Sequence, residues 1–144
     1  FRSAFPEIVN YVDATFNTIP DKAHRAIAGL SMGGMHTLMI TANYPDMFNY
    51  IGLYSSGVDF TLIEKGEVPA YANFDGKLAK LAQTNPKLYW IACGSADGLM
   101  QANRQLMERM TKNGLKYTFH ESSRGHLWSN WRQYSLMFIP QLFK

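Results

Sequence analysis

The chain has 144 residues, 47% of them hydrophobic, 14% aromatic and only 17% charged, which suits one domain with its own core and excludes general disorder. Eleven glycines and six prolines are ordinary usage and exclude collagen-like and low-complexity classes. The formal charge of +3 is mild and not clustered into a basic stripe with interleaved aromatics, so nucleic acid is not an expected partner.

Phe5, Ile8, Val9, Val12 and Phe16 fall at helical spacing, which predicts an amphipathic helix over 4–16. Asn17 to Lys22 break it, and His24 to Leu30 form a short apolar stretch that predicts a strand. Met35 to Tyr44 read as a helix stopped by Pro45. Tyr50 to Ser55 read as a second buried strand, and 57–75 shows no clear period and reads as an irregular excursion. A helix is expected over 75–83 with Asp75 as its N-cap. Lys87 to Cys93 form the strongest strand pattern of the chain. A helix over 99–113 follows, with Gly114 where a left-handed residue is wanted. Lys116 to Glu121 alternate as a fourth strand, and 127–143 reads as a final aromatic helix bent at Pro140. Strands alternating with helices predict an α/β fold: a parallel sheet with helices on both faces, in a single domain over 1–144. No apolar run approaches the ~18 residues of a membrane span, so no membrane partner is expected. Cys93 is the single cysteine, which excludes an internal disulfide and a cysteine metal cage, and it reads as a small core residue.

Gly29-Leu-Ser31-Met-Gly33 matches the G-x-S-x-G nucleophile elbow, in which a serine sits on a sharp strand-to-helix turn that lifts its hydroxyl out of the sheet. The context agrees, because an apolar strand stops at Leu30 and a helix follows. The turn brings strand and helix so close that a Cβ at Gly29 or Gly33 is expected to clash. The N–H of Met32, at the start of the helix, is a candidate oxyanion donor.

An elbow serine needs a base, and the base needs an acid to orient it; on this architecture they follow in the order serine, acid, histidine, on loops after later strands. His126 follows the strand over 116–121, and Asp97 follows the strand over 87–93. Both sit where an open parallel sheet places its site, at the carboxyl ends of strands. The other histidines are worse placed. His24 precedes the elbow strand, His36 lies inside the following helix, and His120 alternates with core residues within a strand. Asp59 is the alternative acid, since it follows the strand over 50–55; Asp97 is preferred, although an Asp-Gly turn would also explain it.

Arg25 to Gly34 and Gly125-His-Leu-Trp-Ser-Asn-Trp-Arg132 together resemble the esterase family of α/β-hydrolases. That family includes feruloyl esterases joined to xylanases, siderophore esterases, S-formylglutathione hydrolase and mycolyltransferases. The likeness runs from the helix at Phe5 to Pro140, and the second stretch leans toward the feruloyl and carbohydrate-esterase branch. The resemblance implies Ser31 as nucleophile, Asp97 as acid, His126 as base and Met32 as oxyanion donor, with no metal or organic cofactor. It also implies that Trp128 lines the acyl pocket, the competing reading being a core aromatic of the last helix. Secretion or a periplasmic location is implied by the resemblance alone.

The elbow strand comes midway through the sheet in that family, whereas here one helix alone precedes it. The chain therefore resembles the carboxyl-terminal half of such a domain, and it is expected to need an amino-terminal half or a partner chain. The expected function is hydrolysis of carboxylic esters on plant polysaccharides, feruloyl or acetyl, through an acyl-enzyme on Ser31. The alternatives are an acyltransferase or thioesterase using the same residues, or a binding or scaffold domain that keeps only the fold.

Overall fold

The computed structural model describes residues 4–144. After helix α1 (Phe5–Thr15) and a 3₁₀ turn at Lys22–His24, four strands are joined by helical crossovers: β1 (Ala26–Leu30), α2 (Met32–Asn43), β2 (Tyr50–Tyr54), α3 (Phe60–Glu64), α4 (Phe74–Gln83), β3 (Leu88–Gly94), α5 (Met100–Lys112), β4 (Thr118–Ser122) and α6 (Trp128–Phe138). The strands lie side by side in chain order, and every pair is parallel. This is the expected α/β fold.

Period-two alternation along the strands sorts two cores. Ile51, Leu53, Tyr89 and Ile91 meet Leu38 and Ile40 of α2, Leu78 and Leu81 of α4, and Leu106 and Met110 of α5. Tyr50, Tyr54, Trp90 and Ala92 point the other way, onto Tyr134 and Phe138 of α6. One face is thus mainly aliphatic under three helices, and the other mainly aromatic under one. β2 is buried at all of its residues, as a central parallel strand should be. Each fully buried Leu, Ile or Phe contributes about 1.5–3 kcal/mol, so these two layers dominate the stability of the sheet.

Several expectations are corrected in detail. The segment 57–75 is not wholly irregular: α3 and a 3₁₀ turn at Pro69–Tyr71 lie within it. Asp59 caps α3, accepting the N–H groups of Thr61 and Leu62, and Tyr71 and Phe74 anchor the segment in the core. The residue before α4 is Asn73, with φ at +52° and no side-chain cap; Asp75 is inside the first turn and pairs with Arg109. The final helix ends at Phe138 and passes into a 3₁₀ turn around Pro140. Gly114 has φ at +74°, as its place after α5 requires.

The outer edge of β1 has no strand partner among the described residues. Helix α1 forms as its pattern predicts, but none of its residues is buried. Ile8, Tyr11, Phe16 and the following Ile19 are all exposed. Phe5 packs against Phe48, and Asp13 pairs with Arg25 just before β1. A cleft of about 540 Å³ lies here against Ile8, Val12, Ile19 and Phe143, at the amino end of β1 and away from the elbow. No helix among the described residues is long and apolar enough to cross a membrane.

Candidate active site

The polypeptide leaves β1 at Leu30 and enters α2 at Met32, so Ser31 alone makes the turn. Its φ of +53° and ψ of −119° lie outside the usual regions for a side-chain-bearing residue, at a cost of order 1–3 kcal/mol. The turn is held by the Ser31 N–H donating to the Tyr54 carbonyl at 2.8 Å and by Met35 N–H donating to the Ser31 carbonyl at 3.1 Å. Met32 is the first residue of α2, so its N–H lacks an intrahelical acceptor and is free for an anion.

The steric logic of the elbow differs from the expectation at one glycine. A Cβ on Gly29 would stand 2.2 Å from the Gly33 carbonyl carbon and oxygen, whereas a Cβ on Gly33 would meet nothing within 4 Å. The second restricted position is Gly34, where a Cβ would fall 2.8 Å from the Ser56 Cβ. It is the backbone of Gly33, not the space for its side chain, that lies against the strand.

Asp97 and His126 are delivered by two adjoining loops after β3 and β4. The Ala96 N–H donates to the Arg124 carbonyl at 2.9 Å, joining the loops. Asn130, buried in α6, donates to the carbonyls of Ser123 at 2.9 Å and Gly125 at 3.1 Å, clamping the histidine loop. His126 Nδ1 lies 3.0 Å from Asp97 Oδ2 and 3.2 Å from Oδ1, and His126 Nε2 lies 3.0 Å from Ser31 Oγ. Serine, histidine and carboxylate thus form one unbroken hydrogen-bonded chain.

The Asp97 side chain is 1% exposed, against 36% for His126. Burial pushes the Asp97 carboxyl upward, but hydrogen bonds from the Leu99 N–H and from Ser55 and His126 outweigh it and hold its pKa below the ordinary value. An ionised carboxylate at Nδ1 favours the tautomer with its proton on Nδ1, leaving the Nε2 lone pair for the serine hydroxyl. A buried anion in this position also favours the imidazolium that forms when the serine gives up its proton.

The remaining candidates are occupied elsewhere. His24 binds Asp21 at 2.8 Å. His120 stacks on Trp90 with ring centroids 6.1 Å apart. Asp59 serves as the α3 cap. Cys93 is fully buried, and burial, with Asp97 nearby, pushes its thiol up to about 12, so it is no nucleophile. No group of three or more potential metal ligands occurs among the described residues.

One apolar cleft opens at the serine and a second lies against Leu30, the residue before it. One, about 360 Å³, is lined by Ser31, Met32, Met35, Val58 and Leu99. The other, about 300 Å³, is lined by Leu30, Trp128, Trp131, Arg132 and Leu136. Trp128 is 66% exposed and is not a core aromatic. It stands edge-on to Trp131 at 5.6 Å, and Trp131 stands edge-on to His126 at 4.8 Å. Sequence reasoning missed Trp131 and also Ser55, whose hydroxyl accepts the Trp131 indole N–H at 3.1 Å.

A serine on a strand-to-helix elbow of a parallel sheet, with histidine and aspartate on later loops, defines the α/β-hydrolase class. Residues 5–137 match the family described as "Putative esterase", and the chain belongs to that family. An endo-1,4-beta-xylanase/feruloyl esterase of Xylanibacter ruminicola is 53% identical over 51 residues, covering 35% of this chain and 7% of that protein. An acetyl esterase of Caldicellulosiruptor saccharolyticus is 27% identical over 157 aligned positions, covering 89% of this chain and 58% of the relative. Among solved structures, a ferulic acid esterase of Anaeromyces mucronatus superposes with a TM-score of 0.78 at 20% identity, over 99% of this chain and 52% of that one. The S-formylglutathione hydrolase of Staphylococcus aureus gives 0.75 at 21% identity, over 96% and 60%. These structural likenesses establish the fold, and the chain spans little more than half of those two structures and of the acetyl esterase.

Proposed function

We propose that this chain carries the catalytic residues of a serine carboxylic-ester hydrolase, with Ser31 as nucleophile, His126 as general base and acid, and Asp97 as the orienting carboxylate. The single observation behind this reading is the hydrogen-bonded chain from Ser31 Oγ through His126 to Asp97. Ser31 Oγ attacks the ester carbonyl as His126 Nε2 takes its proton; the same proton then goes to the departing alcohol oxygen. Water, deprotonated by His126, attacks the acyl-enzyme, and collapse returns the acid and the free serine. The Met32 N–H faces the developing oxyanion as one donor. No step needs a metal or an organic cofactor.

The substrates we assign are feruloyl or acetyl esters of plant cell-wall polysaccharides. Support comes from the feruloyl and acetyl esterases among the relatives and from the apolar cleft that Ser31 lines with Met32, Met35, Val58 and Leu99. Trp128 offers an exposed ring against Trp131, which itself packs on His126, for the acyl or alcohol part. We also assign further chain, or a partner, to the open edge of β1. The unpaired strand, the uncovered side chains of α1 and the relatives' greater length support that assignment.

The test is covalent labelling with a fluorophosphonate, followed by turnover of aryl ferulate and aryl acetate with and without a competing alcohol. Capture at Ser31 with release of free acid supports the reading. Transfer to the alcohol in preference to water would reassign the chain as an acyltransferase, and failure to label would leave only a fold-retaining scaffold.

A further inference from the structure

Ser55 follows β2 as Ser31 follows β1. It is fully buried, and its φ of +47° is one that a side-chain-bearing residue adopts only when its surroundings enforce it. Two neighbours enforce it here. The Ser55 N–H donates to the Ala92 carbonyl at 2.7 Å. Asn103, itself fully buried, donates to the carbonyl of the next residue, Ser56, at 2.5 Å and to the Leu99 carbonyl at 2.8 Å.

The direction of the hydrogen bonds follows from their chemistry. An indole N–H can only donate, so at the 3.1 Å contact with Trp131 the Ser55 oxygen accepts. Its own proton is therefore left to donate. The hydroxyl faces the Asp97 carboxylate and the Cys93 thiol, and a carboxylate is much the stronger acceptor. Asp97 then receives Ser55 on one side, the Leu99 N–H at 2.9 Å and His126 Nδ1–H on the others.

We infer that Ser55 is a positioning residue: it passes the donor-only polarity of the Trp131 indole to the Asp97 carboxylate, and so fixes the orientation and tautomer of the His126 ring. This rests on the catalytic roles proposed above. Trp131 contributes twice, since its ring also packs edge-on to the imidazole at 4.8 Å. A neighbouring hydroxyl provides the contrast: Ser56 Oγ is buried yet has no hydrogen-bond partner among the described residues.

The experiment compares Ser55→Ala, Ser55→Gly, Trp131→Phe and the control Ser56→Ala in the intact protein. Two readouts are taken: kcat and KM for an aryl ester, and the strongly deshielded His126 Nδ1–H proton resonance. Glycine at residue 55 relieves the left-handed backbone while removing the hydroxyl, so strain and hydrogen bonding separate. We expect kcat to fall at least tenfold in both Ser55 variants and in Trp131→Phe. KM should stay within twofold in the Ser55 variants, and the resonance should move upfield or broaden in all three. Ser56→Ala should match the wild type. Wild-type kcat and an unchanged resonance in Ser55→Gly would overturn the inference. If the wild-type protein turned over no ester, the hydrolase reading would fall, and the resonance alone would still decide the role of Ser55.

Discussion

Gly29 and Gly33 meet at the elbow through backbone alone: the Cβ that Gly29 lacks would stand 2.2 Å from the Gly33 carbonyl. This contact seats α2 on β1 and brings Ser31 to the end of the sheet. Gly29→Ala should therefore destabilise the protein by at least about 3 kcal/mol, since rigid backbone must move. Gly33→Ala should change stability by less than about 1 kcal/mol, because the new methyl has room. Denaturant midpoints of the two variants check the contrast, and equal losses would show that the strand–helix approach is wrongly understood.

Ser31→Ala should abolish fluorophosphonate capture and lower ester turnover by at least about 10³-fold. The melting temperature should hardly change, because alanine adopts the same left-handed backbone at about the same cost. Retained turnover in the purified variant would exclude Ser31 as nucleophile.

The two acids separate cleanly. Asp97→Asn should lower kcat by about 10⁴-fold through the wrong imidazole tautomer. Asp59→Asn keeps a competent cap on α3 and should leave kcat within twofold. A severe effect at residue 59 with a mild one at residue 97 would move the orienting role to Asp59.

The depressed pKa of Asp97 makes a pH prediction. Its folded value lies below its unfolded value, so the stability it contributes is present above the unfolded pKa of about 3.9 and is lost as pH falls through the folded value. Melting temperature should thus fall more steeply below pH 4 in the wild type than in Asp97→Asn. Parallel acid limbs would show that the Leu99, Ser55 and His126 contacts do not hold the carboxylate in solution.

Cys93 should resist iodoacetamide in the native protein at pH 8 and react only on unfolding, because its buried thiol is pushed up to about 12. Rapid native alkylation would place it outside the core.

Much of this was legible in the sequence because it is local. Strand patterns such as 50–55 and 87–93 carry their burial in their own composition, and the elbow is a five-residue signal. The order of serine, aspartate and histidine then selected Asp97 and His126. What was missed depends on contacts between distant segments. Nothing near Gly33 in the chain reveals that its side-chain position is open while that of Gly34 faces Ser56. Trp131 is distinguished from its neighbours by its contacts with Ser55, 76 residues away, and with the His126 ring. The short helices of 57–75 are held by Tyr71 and Phe74 reaching the core, which no local periodicity announces.

Leu30 stands opposite Tyr54 in the parallel register, so Ser31 and Ser55 leave the sheet side by side, each in a left-handed turn. Their alignment is counted out in whole residues along two adjacent strands. A single deletion inside β2 would turn the side chains beyond it to the opposite face and misplace Ser55, a greater injury than most substitutions there. The largely exposed stretch between α3 and the 3₁₀ turn, 65–68, obeys no such count: each doubling of a flexible loop costs only about 0.6 kcal/mol in closure. Because Val58 and Asp59, just before α3, border the cleft beside Ser31, insertions in this segment can reshape that cleft without disturbing the sheet.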